Sequence, residues 1–171
     1  MVNDLLVIAF VAAIVVFLVG TLLVPYFRSK KKKKATLSTN DSATKQMQLQ
    51  AYERLILLVD RIALPNLLPR ISQPGFTAKE MQLFIIDNIQ QEFEYNITQQ
   101  VYVNKESWHA VKSLKEQNIA TVNHIANLLP EDATGIDLCR ILAEFLLKDK
   151  RGVLHELVSE AISFEAKKLL Q

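Results

Sequence analysis

Read from the amino terminus, the pattern of apolar and polar positions changes character three times. Leu5 to Val24 are twenty residues without a charge, eighteen of them apolar and broken only by Gly20 and Thr21, which is the pattern of a membrane-crossing helix. At about 1.5 Å per residue, the stretch to Phe27 reaches roughly 34 Å, enough for a hydrocarbon core of about 30 Å. Then come Arg28, Lys30, Lys31, Lys32, Lys33 and Lys34, followed by Ala35 to Thr44, which are small or polar with one Leu. That composition cannot bury enough surface to order itself and predicts a tether. From Lys45 onward the apolar positions take a helical period.

In this last part, Tyr52, Leu55, Ile56, Val59 and Ile62 share one helical face, as do Met81, Phe84, Ile85, Ile89 and Phe93. Leu55 to Val59 is apolar all round, so this first helix is expected to be the most buried. Pro65, Pro69 and Pro74-Gly75 confine Leu67 and Leu68 to a turn or helical stub. Thr77 and Glu80 have the spacing of a capping box, which opens a helix at Ala78 that ends near Tyr95. Gln99 to Val103 carry β-branched and aromatic residues that suit an extended connector. Asn104 caps a helix over Lys105 to Leu129 with Trp108, Val111, Ile119, Val122, Ile125 and Leu129 inward, and Pro130 follows it. Thr134 and Asp137 make a second capping box before a helix over Gly135 to Lys148 that carries Leu138, Ile141, Leu142 and Phe145. The last helix, Gly152 to Leu170, is expected to bury Leu154, Leu157, Val158, Ala161, Ile162 and Leu169.

The predicted fold is therefore all-α, with one transmembrane helix, a flexible linker, and a compact five-helix bundle or array. The domain boundaries are an anchor over 1–27, a basic collar and linker over 28–44, and a helical domain over 45–171. No repeat is evident, because the helix and loop lengths share no period.

Charge sharpens this picture. The whole chain carries a net charge of +2, but Arg28 and Lys30 to Lys34 supply six positive charges and leave the remainder at −4. Basic residues beside a span are retained in the cytoplasm, which predicts an inner-membrane protein with its amino terminus outside and its helical domain cytoplasmic. A cleaved signal peptide fits less well: Asp4 precedes the apolar run, the basic residues follow it, and no small-residue cleavage site ends it. Arg28, Lys30, Lys31, Lys32, Lys33 and Lys34 are also candidates for binding anionic lipid headgroups, each Lys contributing about 1 kcal/mol. Nucleic acid is not an expected partner, since the cluster has no interleaved aromatics for stacking. Ala9, Ala13 and Gly20 form a small-residue face where a second spanning helix could sit, so a homo-oligomer is one alternative.

Candidate chemistry is sparse. His109 and His124 are fifteen residues apart on one predicted helix, about four turns, and cannot share a metal there. Glu131, Asp132 and Asp137 suit capping and solvated-loop roles better than coordination. Cys139, the single cysteine, sits among apolar helix residues as a structural thiol, which agrees with a reducing compartment. No glycine-rich phosphate loop, Rossmann fingerprint or nucleophile elbow occurs. Neither a cofactor nor a metal is expected, and no catalytic residue is assigned.

Several segments together carry a resemblance: Ala51-Tyr52-Glu53-Arg54-Leu55, Leu64-Pro65-Asn66-Leu67, Gln73-Pro74-Gly75, Thr98-Gln99-Gln100-Val101-Tyr102-Val103, and Leu129 to Leu138. With the apolar amino terminus, the chain resembles an uncharacterised family of single-span Bacteroidota membrane proteins. The resemblance implies a bacterial membrane protein and transfers no activity. Gln99, Gln100, Glu131 and Asp132 are candidate contacts for an unknown protein partner. The expected function is a membrane-anchored cytoplasmic interaction or scaffold module without catalysis. The alternatives are a structural or lipid-associated protein acting through self-association and its basic segment, and an enzyme whose site no motif exposes.

Overall fold

The computed structural model describes residues 41–148 and 153–171. The chain divides into two compact units, Met1–Lys45 and Gln46–Gln171; of the first, only residues 41–45 are described, and they are helical. The apolar run Leu5–Val24, its Ala9, Ala13 and Gly20 face, and the basic residues Arg28 and Lys30 to Lys34 lie outside the described residues. Among the described residues there are six α-helices, and none is long and apolar enough to cross a membrane. This corrects the expected fold class of one spanning helix followed by five.

The helices are α1 (41–62), α2 (Leu64–Ile71), α3 (Ala78–Tyr95), α4 (Lys105–Ala126), α5 (Gly135–Lys148) and α6 (Leu154–Lys168), with a 3₁₀ turn at Ile97–Val101. The added helix is α2, where only a stub was expected. Pro65 stands in its first turn, where a missing N–H costs little, and Pro69 lies four residues on, with both rings exposed. Ile97 to Val101 wind rather than extend, because Gln99 N–H donates to the Asn96 carbonyl and Tyr102 N–H to that of Gln99. An extended strand here would need a partner to pair its backbone, whereas the 3₁₀ bonds close locally. α4 stops three residues early, as Leu128 and Leu129 N–H groups bond three residues back and tighten the last turn before Pro130.

Where α1 gives way to α2, the Val59 carbonyl keeps its helical donor, while the next three carbonyls are met individually. The Val59 carbonyl accepts from Ala63 N–H at 3.0 Å. That of Asp60 is approached by Asn66 Nδ2 at 3.3 Å, and the same amide donates to Asp60 Oδ1 at 2.7 Å. That of Arg61 accepts from Arg70 Nη2 at 2.9 Å. That of Ile62, on a fully buried residue, accepts from Asn118 Nδ2 on α4 at 2.8 Å. Asn118 is thus a polar residue in the core because a helix end inside the core requires a donor.

Around this junction the core gathers Leu55, Leu58, Val59 and Ile62 of α1 with Met81, Ile85, Ile89 and Phe93 of α3. Val111, Leu114 and Val122 come from α4, Leu138 and Leu142 from α5, and Val158 and Ile162 from α6. At the amino-terminal end of α4, Asn104 ties three helices. Its backbone N–H donates to the Tyr52 hydroxyl, its Oδ1 accepts from Ser107 N–H, and its Nδ2 donates to Glu165 of α6. Two positions expected inside α6 face outward instead: Leu157 and Ala161 are exposed, while Leu154 and Leu169 are half-buried.

The loops before α3 and α5 pair across a single antiparallel bridge, Thr77 to Thr134. Ala78 N–H donates to the Ala133 carbonyl at 2.9 Å, and Gly135 N–H to that of Phe76 at 2.7 Å. Each bridge residue is also the cap of its helix, so α3 and α5 start side by side as two like loop–helix units. The sequence carries this likeness as Thr-x-x-Glu and Thr-x-x-Asp, each a few residues after a proline. Gly75 makes the first loop possible with a φ of +96°, in the left-handed region. Gly135 is required by closeness: a Cβ there would stand 2.9 Å from Met81 Cβ and 3.1 Å from the Phe76 carbonyl oxygen.

Two stability predictions follow from these contacts. Asn118→Leu keeps the volume but strands the buried Ile62 carbonyl, and urea unfolding should show a loss of about 1–3 kcal/mol; an unchanged midpoint would refute the role given to Asn118. Gly135→Ala should cost about 1–3 kcal/mol by overpacking the paired loops, read as a lowered melting temperature.

Candidate functional site

Among the described residues, a concavity lies between α1 and α3. Arg54, Leu57, Leu58 and Arg61 fall at i, i+3, i+4 and i+7 of α1, so they share one face. Opposite them stand Asn88, Gln91, Glu92 and Tyr95 of α3, with Asn96 at its end. Two adjoining depressions of about 350 and 310 Å³ share Arg61, Glu92 and Tyr95 and together make one shallow groove. Arg61 Nη1 lies 2.9 Å from Glu92 Oε1 and 3.3 Å from Oε2, an ion pair that ties the two helices across it. With Arg61 more than half exposed, such a pair stabilises by at most about 1 kcal/mol. Its larger effect is to hold the groove's width.

The groove is unusual in what it leaves uncovered. Leu57 is 60% exposed and Tyr95 77%, and they line it with the buried Leu58. Beyond Tyr95 the surface continues through Ile97, Val101 and Tyr102, all exposed. This modifies the expectation that α1 is apolar all round and most buried. Leu55, Leu58, Val59 and Ile62 are fully buried, but Leu57 is not. The sequence did hold a signal for this, since Arg54 and Arg61, at i−3 and i+4, mark the face of Leu57 as solvent-facing.

The four candidate contact residues divide between two places. Gln99 and Gln100 lie in the 3₁₀ turn beside the exposed apolar segment; Gln99 is half-buried, its Nε2 donating to Thr98 Oγ1, and Gln100 is exposed. Glu131 and Asp132 are exposed in the loop that pairs with the start of α3. The two pairs therefore stand at opposite ends of an eighteen-residue helix, about 27 Å apart along its axis. They cannot form one contact site. Among the described residues, no group of three or more His, Cys, Asp and Glu is placed to hold a metal ion. His109 and His124 are exposed, and Cys139 is buried with its thiol pushed up by burial, opposed by a hydrogen bond with Ser72.

At the paired-loop end, both capping boxes form. Glu80 N–H donates to Thr77 Oγ1 at 3.2 Å, while Thr77 N–H and hydroxyl both donate to Glu80 Oε2 at 2.9 Å. Asp137 repeats the arrangement with Thr134, its Oδ2 accepting from the hydroxyl at 2.7 Å and from N–H at 3.2 Å. Hydrogen bonds from Thr77 hold the Glu80 carboxyl below its ordinary value of 4.5. The Thr134 hydroxyl, then Arg140, hold that of Asp137 below 3.8. Arg140 bridges Asp137 and Glu144, and both carboxylates raise the guanidinium's own value. These carboxylates are structural anchors of two helix starts.

Fold and surface together define an all-helical protein built on two paired loop–helix units, with an open amphipathic groove at one side. The chain belongs to the family of unknown function DUF7935, whose family model matches residues 1–169. No curated protein and no solved structure matches it.

Both capping carboxylates have lowered values in the folded chain, so their contribution is complete above the ordinary 4.5 and 3.8. It is lost as pH falls through the depressed values. Melting temperature measured against pH should therefore fall on the acid side, and Glu80→Gln with Asp137→Asn should make that limb shallower while lowering stability at pH 7. An acid limb as steep as the parent's would exclude these two groups as its source.

Proposed function

We propose that the helical unit is a protein-docking module without a catalytic step of its own. Its groove between α1 and α3 receives a segment of a partner protein bearing an aliphatic or aromatic anchor beside a carboxylate. The observation that carries this reading is the pair of large apolar side chains, Leu57 and Tyr95, left exposed on a groove edged by Arg54 and Arg61. An anchor seated between them removes apolar area from water at about 25 cal/mol per Å². A carboxylate beside it meets the guanidinium of Arg54, whereas Arg61 already holds Glu92. Tyrosine and arginine around a partly apolar pocket are the residue types that dominate binding energy at protein interfaces. Gln100 borders the same surface and adds a polar contact at its rim. Glu131 and Asp132 have no part in this site.

The proposed location is the cytoplasmic face of a bacterial inner membrane. Its support is the sequence: the uncharged run Leu5–Val24 partitions toward lipid, and Arg28 with Lys30 to Lys34 favours the cytoplasmic side and anionic headgroups.

The test is photo-cross-linking of the full-length chain in cells, with a reactive probe at Gln100. A single partner should be captured, and Leu57→Asp or Tyr95→Ala should reduce its yield at least about tenfold, the effect of removing one interface hot spot. Both variants should keep the parent's melting temperature within about 2 °C, as expected of exposed positions. Capture that persists undiminished in both variants would overturn the docking role of the groove.

A further inference from the structure

A second surface, separate from the groove, lies on the outer side of α6. Val153, Leu157, Ala161 and Phe164 are all exposed and, at about 100° per residue, fall within roughly 80° of one another. Lys168 lies on the same stripe, its ammonium 4.5 Å from the centre of the Phe164 ring, yet that ring remains 61% exposed. Val158 and Ile162, on the opposite side, are the residues that hold α6 to the core. One helix thus has an inner apolar face that is used and an outer one that is not.

The charges beside the outer stripe say what covers it. Glu156 and Lys167 are both exposed, at opposite ends of α6 but on the same flank, about 100° and 80° from Leu157 in the same sense. Between two copies of this helix, a two-fold axis near Glu160 and Ala161 reverses the direction of one and keeps that flank on the same side. Leu157 of each copy then meets Phe164 of the other, and Glu156 comes within about two residues, or 3 Å of axial rise, of the other copy's Lys167; Glu160, exposed on the same flank, meets its own counterpart at the axis, so two attractive pairs stand against one repulsive one. Ala161, beside the axis, is small enough to let the helices approach. A parallel two-fold pair would instead turn this flank of the two copies to opposite sides of the contact, and bring neither Glu156 nor Lys167 to the other's charge. A membrane surface is a poorer occupant, since Glu156 and Glu160 offset the attraction of Lys167 and Lys168 for anionic headgroups.

We infer that α6 is a self-association surface, on which two copies of this chain pair antiparallel across a two-fold axis through their Leu157, Ala161 and Phe164 faces. This is an isologous contact, with the same patch used by both partners. A helix of fifteen residues is about 22 Å long, so the contact falls at or below the roughly 1,200 Å² of a small stable interface. The pair is accordingly weak and reversible and calls for a trapping experiment.

The experiment uses full-length chains carrying Ala161→Cys, expressed in cells and treated with a short bifunctional maleimide; the only other thiol is the buried Cys139. A covalent species of twice the chain mass should form with Ala161→Cys and not with the parent chain. Adding Glu156→Lys or Lys167→Glu should each lower its yield at least about fivefold through like-charge contact. Co-expressing those two chains with tags of different size should restore a mixed dimer, since both 156–167 pairs are then opposite in sign and the Glu160 contact is as in the parent. That restoration also shows that both variant chains fold. The inference is overturned by any of three results: no dimer from Ala161→Cys, a yield indifferent to both charge changes, or self-cross-linking of Val153→Cys as efficient as that of Ala161→Cys, which marks a parallel pair. A cross-linked species of any other mass also counts against it.

Discussion

Two backbone hydrogen bonds, Ala78 N–H to the Ala133 carbonyl and Gly135 N–H to that of Phe76, set the frame on which the domain is built. They join the starts of α3 and α5, helices separated by nearly forty residues of chain, and so fix both the level and the spacing at which these helices enter the core. The closeness they impose explains Gly135, where any side chain collides with Met81 and Phe76. It also explains why each loop carries its own capping box: N–H groups at two adjoining helix starts need acceptors, and Thr77 with Glu80 and Thr134 with Asp137 provide them locally. The bridge thereby leaves each helix start complete in itself.

From that fixed end, α3 runs the length of the domain and delivers Glu92, Tyr95 and Asn96 to the opposite end. There the ion pair to Arg61 and the exposed side chains of Leu57 and Tyr95 form the groove. The distance between the two ends has a functional consequence. In the proposed docking, a partner at the groove lies at the end of α3 that leads into the 3₁₀ turn and is far from Glu131 and Asp132, which belong to the structural end. The outer face of α6 is a third surface, opposite to the side by which that helix joins the core. One helical unit can in this way engage a partner and a second copy of itself through different elements.

The polar residues inside the core follow one rule. Asn118 caps the Ile62 carbonyl, and Gln82 of α3 donates to Asn123 of α4 at 2.7 Å while accepting from Lys79. Among the described residues, no buried side-chain polar atom lacks a partner. Asn118 and Gln82 are each held where a helix end or a helix–helix contact supplies the complementary group, which makes these two positions intolerant of apolar replacement despite their burial. Neither helical period nor side-chain polarity announces such residues, because their reason lies in a backbone atom elsewhere in the chain.

The sequence by itself determined the all-helical character of the domain, both capping boxes, the start and end of α3 and α5, and the inward placement of Met81, Ile85, Ile89, Leu138 and Leu142. These depend on interactions within four residues, which a one-dimensional pattern records in full. The tertiary structure alone decided that Pro65 and Pro69 permit a helix, that Ile97 to Val101 wind, and that Leu157 and Ala161 face out. An apolar residue is buried only where another element covers it, and a proline is tolerated where the carbonyl it deprives finds another donor, as that of Arg61 finds Arg70. Both conditions are set by what stands beside the helix in space, which periodicity along the chain does not encode.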